Sequence, residues 1–300
     1  MDEKEAGDRD SRRDRETAMT SSGKVAAILP AAGVGLRMAH ETPKQLLQVH
    51  GCSILGHTIC AMRQVTKIEL IVVVTSEALL SRVQDEVSRL DTFISRNSVL
   101  PEASSEEAGR TTQRPSARVE VVCRSRDAID SRHASIARGV EYLRGRGFDL
   151  VVVHDAVRPI VPVKLLEELF SAAEGHGAAG PCVPLVSTVL RIDANGLLEE
   201  AIPRYPDSLG RLHVSSETPQ VFQYDVLAKA YSLCDEYELL HGTECLELVR
   251  RYCGVRARLL AGEPDRLWKV TLPRDLLLAE RELKRPESPN DPPSLSTSSY

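Results

Sequence analysis

Residues 25–38 read VAAILPAAGVGLRM. Five small or branched apolar residues run into Pro30, then into a turn carrying Gly33 and Gly35, with Arg37 just behind. A short apolar run closed by a glycine turn is the pattern of a buried strand handing its chain to a loop. Glycines there let the backbone approach a ligand and turn its amide N–H groups toward negative charge; the plainer alternative is a tight turn without a ligand. Arg37, together with Lys44 in TPKQ at residues 42–45, sets two cations beside the turn, which favours a polyphosphate.

Of two better-known phosphate loops, one is excluded by what the stretch lacks and the other fits it poorly. No Gly-Lys-Ser/Thr ending follows the glycines, so this is not a P-loop. Met38 stands where a dinucleotide fingerprint needs its third glycine, and the next apolar strand, IELIVVVT, ends in Thr75 and Ser76 before reaching the acid Glu77. Nucleotide binding without hydride transfer fits better.

Working outward, VAAIL, IELIVVVT, VEVVC and LVVVH are apolar runs rich in β-branched residues. Between and after them SILGHTICAMRQV, SEALLSRVQDEVSRL and HASIARGVEYLRGRG carry apolar residues at helical spacing. This alternation predicts an α/β fold, a Rossmann-like, mostly parallel sheet flanked by helices. The turn-rich text of residues 195–216 predicts a protruding β-arm, a lid or an interaction surface, before a helix at YDVLAKAYSLCDEY. Residues 97–118 predict a flexible loop, and RARLLAG and LWKVT two short strands before a helix opened by Pro273 and Asp275. One working domain over 24–284 is expected between polar, disordered tails at 1–23 and 285–300.

Composition narrows the partners. A 300-residue chain with 42% hydrophobic residues can bury a large core, and a net charge of -5 argues against a nucleic-acid binder with a broadly basic surface. No run approaches the ~20 apolar residues that span a membrane, and the charged N-terminus lacks the apolar segment of a signal peptide. The seven cysteines are scattered without a Cys-x-x-Cys pair, which predicts free thiols and a cytosolic protein.

Two further stretches carry candidate chemistry. VVVHDAVRP, residues 151–159, ends a strand in His154, Asp155 and Arg158, at the sheet edge where open α/β proteins bind ligands. Asp155 there suits Mg²⁺ and Arg158 a second anion; alternatively the two form a structural ion pair, and His154 reads as a packed residue. Lys269 in LWKVT either points outward or adds a cation for a transition state gathering negative charge.

Taken in order, LPAAGVGLRM, TPKQ, RHASI, VVVHDAVRP, PLVSTV, ETPQVF and LWKVT resemble the cytidylyltransferases of the isoprenoid synthase D type. The resemblance covers Lys24 to Lys284 and implies a fold of the nucleotide-diphospho-sugar transferase type. Ser187 to Arg191, LWKVT and GTECLELV resemble the vertebrate branch of that family, which implies transfer of CMP from CTP to D-ribitol 5-phosphate, supplying the glycan of α-dystroglycan. The same transfer to 2-C-methyl-D-erythritol 4-phosphate or another pentitol phosphate, or a non-catalytic nucleotide-binding role, is the alternative. The family implies that Ala31, Ala32, Gly33, Val34 and Gly35 contact CTP through their backbone. Arg37, Lys44 and Lys269 would act on the reacting phosphates, Arg132 and Ser135 would lie by the cytidine, and Asp155 would hold Mg²⁺. Arg158 and Thr188 would face the sugar phosphate, joined by an arm arginine, Arg211 or Arg204, across a homodimer.

Overall fold

The computed structural model describes residues 23–33, 42–97, 117–124 and 129–283. Val34, Gly35 and Arg37, most of the 97–118 segment, and nearly all of the two tails lie outside them.

Strand β1 (Val25–Pro30) is followed by a 3-10 turn at Lys44–Leu46 and a small hairpin of β2 (Gln48–Val49) and β3 (Cys52–Ser53). His50 and Gly51, both at positive φ, make the tight hairpin turn. Helix α1 (Ile54–Arg63) starts on Ser53, whose hydroxyl accepts from the Gly56 N–H. Then come β4 (Ile68–Thr75), α2 (Leu80–Asn97), β5 (Arg118–Cys123), α3 (Arg132–Tyr142) and β6 (Leu150–Val153). The chain continues through α4 (Val163–His176), β7 (Ala178–Pro184), β8 (Val189–Ile192), β9 (Leu198–Ile202), β10 (Val214–Ser216) and β11 (Gln220–Gln223). It closes with α5 (Tyr224–Leu233), α6 (Glu236–His241), α7 (Cys245–Cys253), β12 (Arg258–Ala261) and α8 (Pro273–Glu282).

The main sheet runs β10-β7-β11-β6-β1-β4-β5, with β12 added beside β7. β5, β4, β1 and β6 are mutually parallel, whereas β11 is antiparallel to both β6 and β7. The inner strands β1, β4 and β6 are nearly continuous apolar runs because helices cover both faces, whereas the edge strand β5 carries Arg118 and Glu120 and is only half-buried. Val25, Ala27 and Leu29 of β1 pack with α1, α2 and α4, while Ala26 and Ile28 face α3, α5 and α7. That is the two-residue alternation of a strand buried on both sides. From β1 the chain moves outward to β4 and β5, then returns to lay β6 on the other side of β1. The order reverses there, leaving a crevice beyond the carboxyl ends of β1 and β6.

The structure moves several expected boundaries. The arm's hairpin begins at Val189, ahead of residue 195, and Val214–Ser216 belongs to the main sheet. The YDVLAKAYSLCDEY segment is two helices, because Asp235 caps a new one by accepting from the Glu238 N–H. LWKVT is not a strand. Pairing with β7 ends at Ala261, and residues 267–271 lie against the segment after β6 through one backbone–backbone bond, Val270 N–H to Val157 O at 3.0 Å.

Candidate active site

A cavity of about 460 Å³ opens at this reversal point. Its floor and walls come from the Ala31–Gly33 segment after β1, from Lys44 and Gln45, from the start of α3, and from Asp155 and Lys269. The Ala31 N–H donates to Val74 O at 2.7 Å, so the sheet geometry extends one residue past β1 before the loop departs. Among the described residues, no atom would lie within 4 Å of a Cβ on Gly33.

Asp155 organises the cavity floor. Its Oδ1 accepts from Arg132 Nε at 3.0 Å, and its Oδ2 accepts from Lys269 Nζ at 2.9 Å and Arg158 Nε at 3.1 Å. Burial alone would push the Asp155 carboxyl up, but the charges of Arg132, Lys269 and Arg158 outweigh it and hold the group well below the usual carboxylate range. The carboxylate is therefore ionised and pinned. Among the described residues, Lys44, Arg132 and Lys269 give the cavity three cations against two acids, Asp155 and Asp130. Asp130 is itself paired with Arg124 at 2.7 Å.

The residues behind Asp155 fix its direction. His154 is fully buried and its pKa is pushed down to about 4 by that burial, which keeps the ring neutral at physiological pH. Nε2 stands 2.9 Å from Arg158 O, which can only accept, so Nε2 carries the proton and Nδ1 takes the bond from the Thr218 hydroxyl at 3.1 Å. Thr218 Oγ1 in turn accepts from the Asp155 N–H at 3.3 Å. His154 is thus a packed, hydrogen-bonded residue, as its sequence context predicts.

Of the residues singled out in the sequence, Ala31, Ala32, Gly33, Lys44, Arg132, Ser135, Asp155 and Lys269 line one cavity. Arg158 does not. It is buried beside Asp155, where Nη1 pairs with Glu217 at 2.6 Å and also donates to Leu267 O, the geometry of the structural ion pair weighed above. Thr188 and Arg211 are exposed on the arm, Arg211 paired with Asp207 at 2.6 Å, and Arg204 donates to Val186 O. Val34, Gly35 and Arg37 lie outside the described residues.

Several contributors escaped the sequence reading. Gln45 sits beside Lys44 in the same TPKQ motif, and Glu217 and Thr218 lie in ETPQVF, so the motifs pointed at them without revealing their roles. Arg124, which donates to Ile129 O at 2.6 Å and so holds the turn before α3, carried no such signal.

A mostly parallel sheet whose order reverses at a cationic cavity, with a glycine-bearing segment after one strand and a pinned aspartate after the next, defines a nucleotide-diphospho-sugar transferase fold. A solved 4-diphosphocytidyl-2C-methyl-D-erythritol synthase from Anaerococcus prevotii superimposes with a TM-score of 0.63 at 20% identity, over 87% of this chain and 96% of that one. The chain belongs to the 2-C-methyl-D-erythritol 4-phosphate cytidylyltransferase (IspD) family, whose model matches residues 25–285. It is similar to the D-ribitol-5-phosphate cytidylyltransferases of Xenopus tropicalis, 37% identical over 278 residues, and Homo sapiens, 38% identical over 271. Those alignments cover 90% and 87% of this chain but 59% and 51% of the relatives, so the chain spans little more than half of their length.

Proposed function

We propose that the chain transfers CMP from CTP to a pentitol phosphate, with D-ribitol 5-phosphate as the first candidate acceptor. The observation that carries this reading is the convergence of Lys44, Arg132 and Lys269 on one cavity around Asp155. An oxygen of the acceptor phosphate attacks the α-phosphorus of CTP. A new P–O bond forms, the bond to the β-phosphate oxygen breaks, and pyrophosphate leaves with the electron pair. The nucleophile is already an anion, so a strong general base is not required; bringing two polyanions together is the main task. Lys44 and Lys269 meet that need directly, and Arg132 and Ser135, at the start of α3, lie on the side assigned to the nucleoside.

Asp155 is the residue that would hold Mg²⁺. When bound, the ion would neutralise charge on the triphosphate. Ionisation of Asp155 supplies the hard oxygen donor it needs.

Thr188 and Arg211 lie on the exposed arm, and we assign them to the acceptor site of a second copy in a homodimer. All seven cysteines are unpaired, which supports a reducing compartment, the cytosol. Among the described residues no helix is long and apolar enough to cross a membrane.

The test is pyrophosphate release from CTP and Mg²⁺ with D-ribitol 5-phosphate and 2-C-methyl-D-erythritol 4-phosphate in parallel. Higher kcat/KM with ribitol phosphate is expected. The reverse order would assign the acceptor named in the family description, and no release with any polyol phosphate would leave a nucleotide-binding protein.

A further inference from the structure

Gln45 is almost wholly buried, yet both of its side-chain donors serve the backbone of a different segment. Nε2 donates to Ala31 O at 2.7 Å and to Gly33 O at 3.0 Å. We propose that Gln45 is a positioning residue for the triphosphate: its amide clamps the carbonyls of Ala31 and Gly33, and so locks the segment after β1 to the turn that carries Lys44. The identity of the anion rests on the cytidylyltransferase reading.

Several physical points support the clamp. A primary amide nitrogen offers two donors without a charge, and here each has found a carbonyl. In a planar trans peptide the C=O and the following N–H point in opposite directions, so drawing Ala31 O onto Gln45 aims the Ala32 N–H away from it. Carbonyl oxygens free to turn into the cavity would repel a polyphosphate; these two are held. Among the described residues no atom lies within 4 Å of a Cβ built on Gly33, so none of them packs against it there. Gln45 itself is anchored, because Leu46 and Leu47 on its flank are buried and the Leu46 N–H closes the turn on Pro43 O at 2.8 Å.

Two variants separate the amide from its shape. Gln45→Met keeps the length and removes the donors, and Gln45→Glu keeps the outline but presents only acceptors to two carbonyls. Calorimetric Kd for CTP with Mg²⁺ should rise about 10-fold in Gln45→Met, the scale of two lost hydrogen bonds, and further in Gln45→Glu. The acceptor KM should stay within about twofold, and Gln45→Met should retain the melting temperature within a few degrees. In the ligand-free protein the ¹⁵N order parameters of Ala32 and Gly33 should fall. CTP binding equal to wild type, or equal weakening for CTP and acceptor, overturns the clamp. If wild type itself binds no CTP, the cytidylyltransferase reading fails, and the order parameters decide alone: lowered values sustain the clamp, unchanged values remove it. If Gln45→Glu does not fold, Gln45→Met carries the same tests.

Discussion

Lys269 Nζ stands 2.9 Å from Asp155 Oδ2, although 114 residues separate them in the chain. Asp155 leaves the end of β6, and Lys269 arrives on an irregular segment tied to the same edge by the Val270–Val157 backbone bond and by Arg158 reaching Leu267 O. The carboxylate therefore acts first as the counter-ion that assembles three cations before any substrate enters. A bound triphosphate would take over part of that role and free Asp155 to face a metal.

Asp155→Asn should accordingly damage both activity and stability. Turnover is expected to fall by about 10²-fold or more, with a weakened response to Mg²⁺ in a metal titration. The pH dependence follows from the direction of the shift. The folded carboxyl is held below its unfolded value of about 3.9, so its contribution is complete above that pH and is lost as pH falls below it. Urea unfolding at pH 7 and pH 3 should show a wild-type advantage over Asp155→Asn that shrinks at pH 3. An equal gap at both pH values would mean that the cations do not hold Asp155 ionised.

Lys44 sits on the 3-10 turn facing the cavity, and its neighbours Gln45 to Leu47 carry the burial that fixes the turn. Lys44→Ala should leave the melting curve close to wild type and lower turnover by roughly 10²-fold, the loss expected when one preorganised charge is removed from a transition state. Near-normal turnover in a folded variant would remove Lys44 from the mechanism.

The sequence made the central sheet legible because its strands are buried on both faces, and continuous β-branched runs need no partner to be recognised: β4 occupies the residues of IELIVVVT. LWKVT misled for the same reason. Val270 is buried and Trp268 half-buried against α8 and the loop after β6, and Leu267 is buried in the larger core, so they satisfy the pattern of a strand without a ladder to join. Among site residues, those with charge at a strand end or beside a glycine turn were readable. Gln45 and Thr218 were not, because they act on backbone atoms whose position depends on tertiary structure.

His154 and His133 are buried and neutral, each with its pKa pushed down to about 4 by burial, and for His133 also by the neighbouring Arg132 charge. Their unfolded value is about 6.5. The unfolded chain thus takes up protons first as pH falls, and their contribution, complete above about pH 6.5, declines toward pH 4. Urea midpoints measured from pH 7.5 to 4.5 should fall steadily across this window, well before Asp155 titrates. A flat profile would mean that these rings find protons without unfolding.

The arm provides the remaining prediction. In the β8–β9 hairpin Leu190 and Ile192 lie on one face, with Leu198 opposite Ile192 in the register; all three are more than half exposed. The other face carries the Arg191–Glu200 pair at 3.0 Å beside Val189 and Ile202. An apolar face projecting from the body of the protein calls for a partner surface, and a second copy of the chain would also bring Thr188 and Arg211 to an acceptor site that the single chain leaves without them. Leu190→Glu with Leu198→Glu should convert a dimer into a monomer in sedimentation velocity at micromolar concentration. The melting temperature should fall only by what association itself supplies, because neither side chain belongs to the core. The acceptor KM should rise while the CTP Kd stays the same. A wild-type chain that sediments as a monomer would refute the dimer, and a dissociated variant with an unchanged acceptor KM would remove Thr188 and Arg211 from the acceptor site.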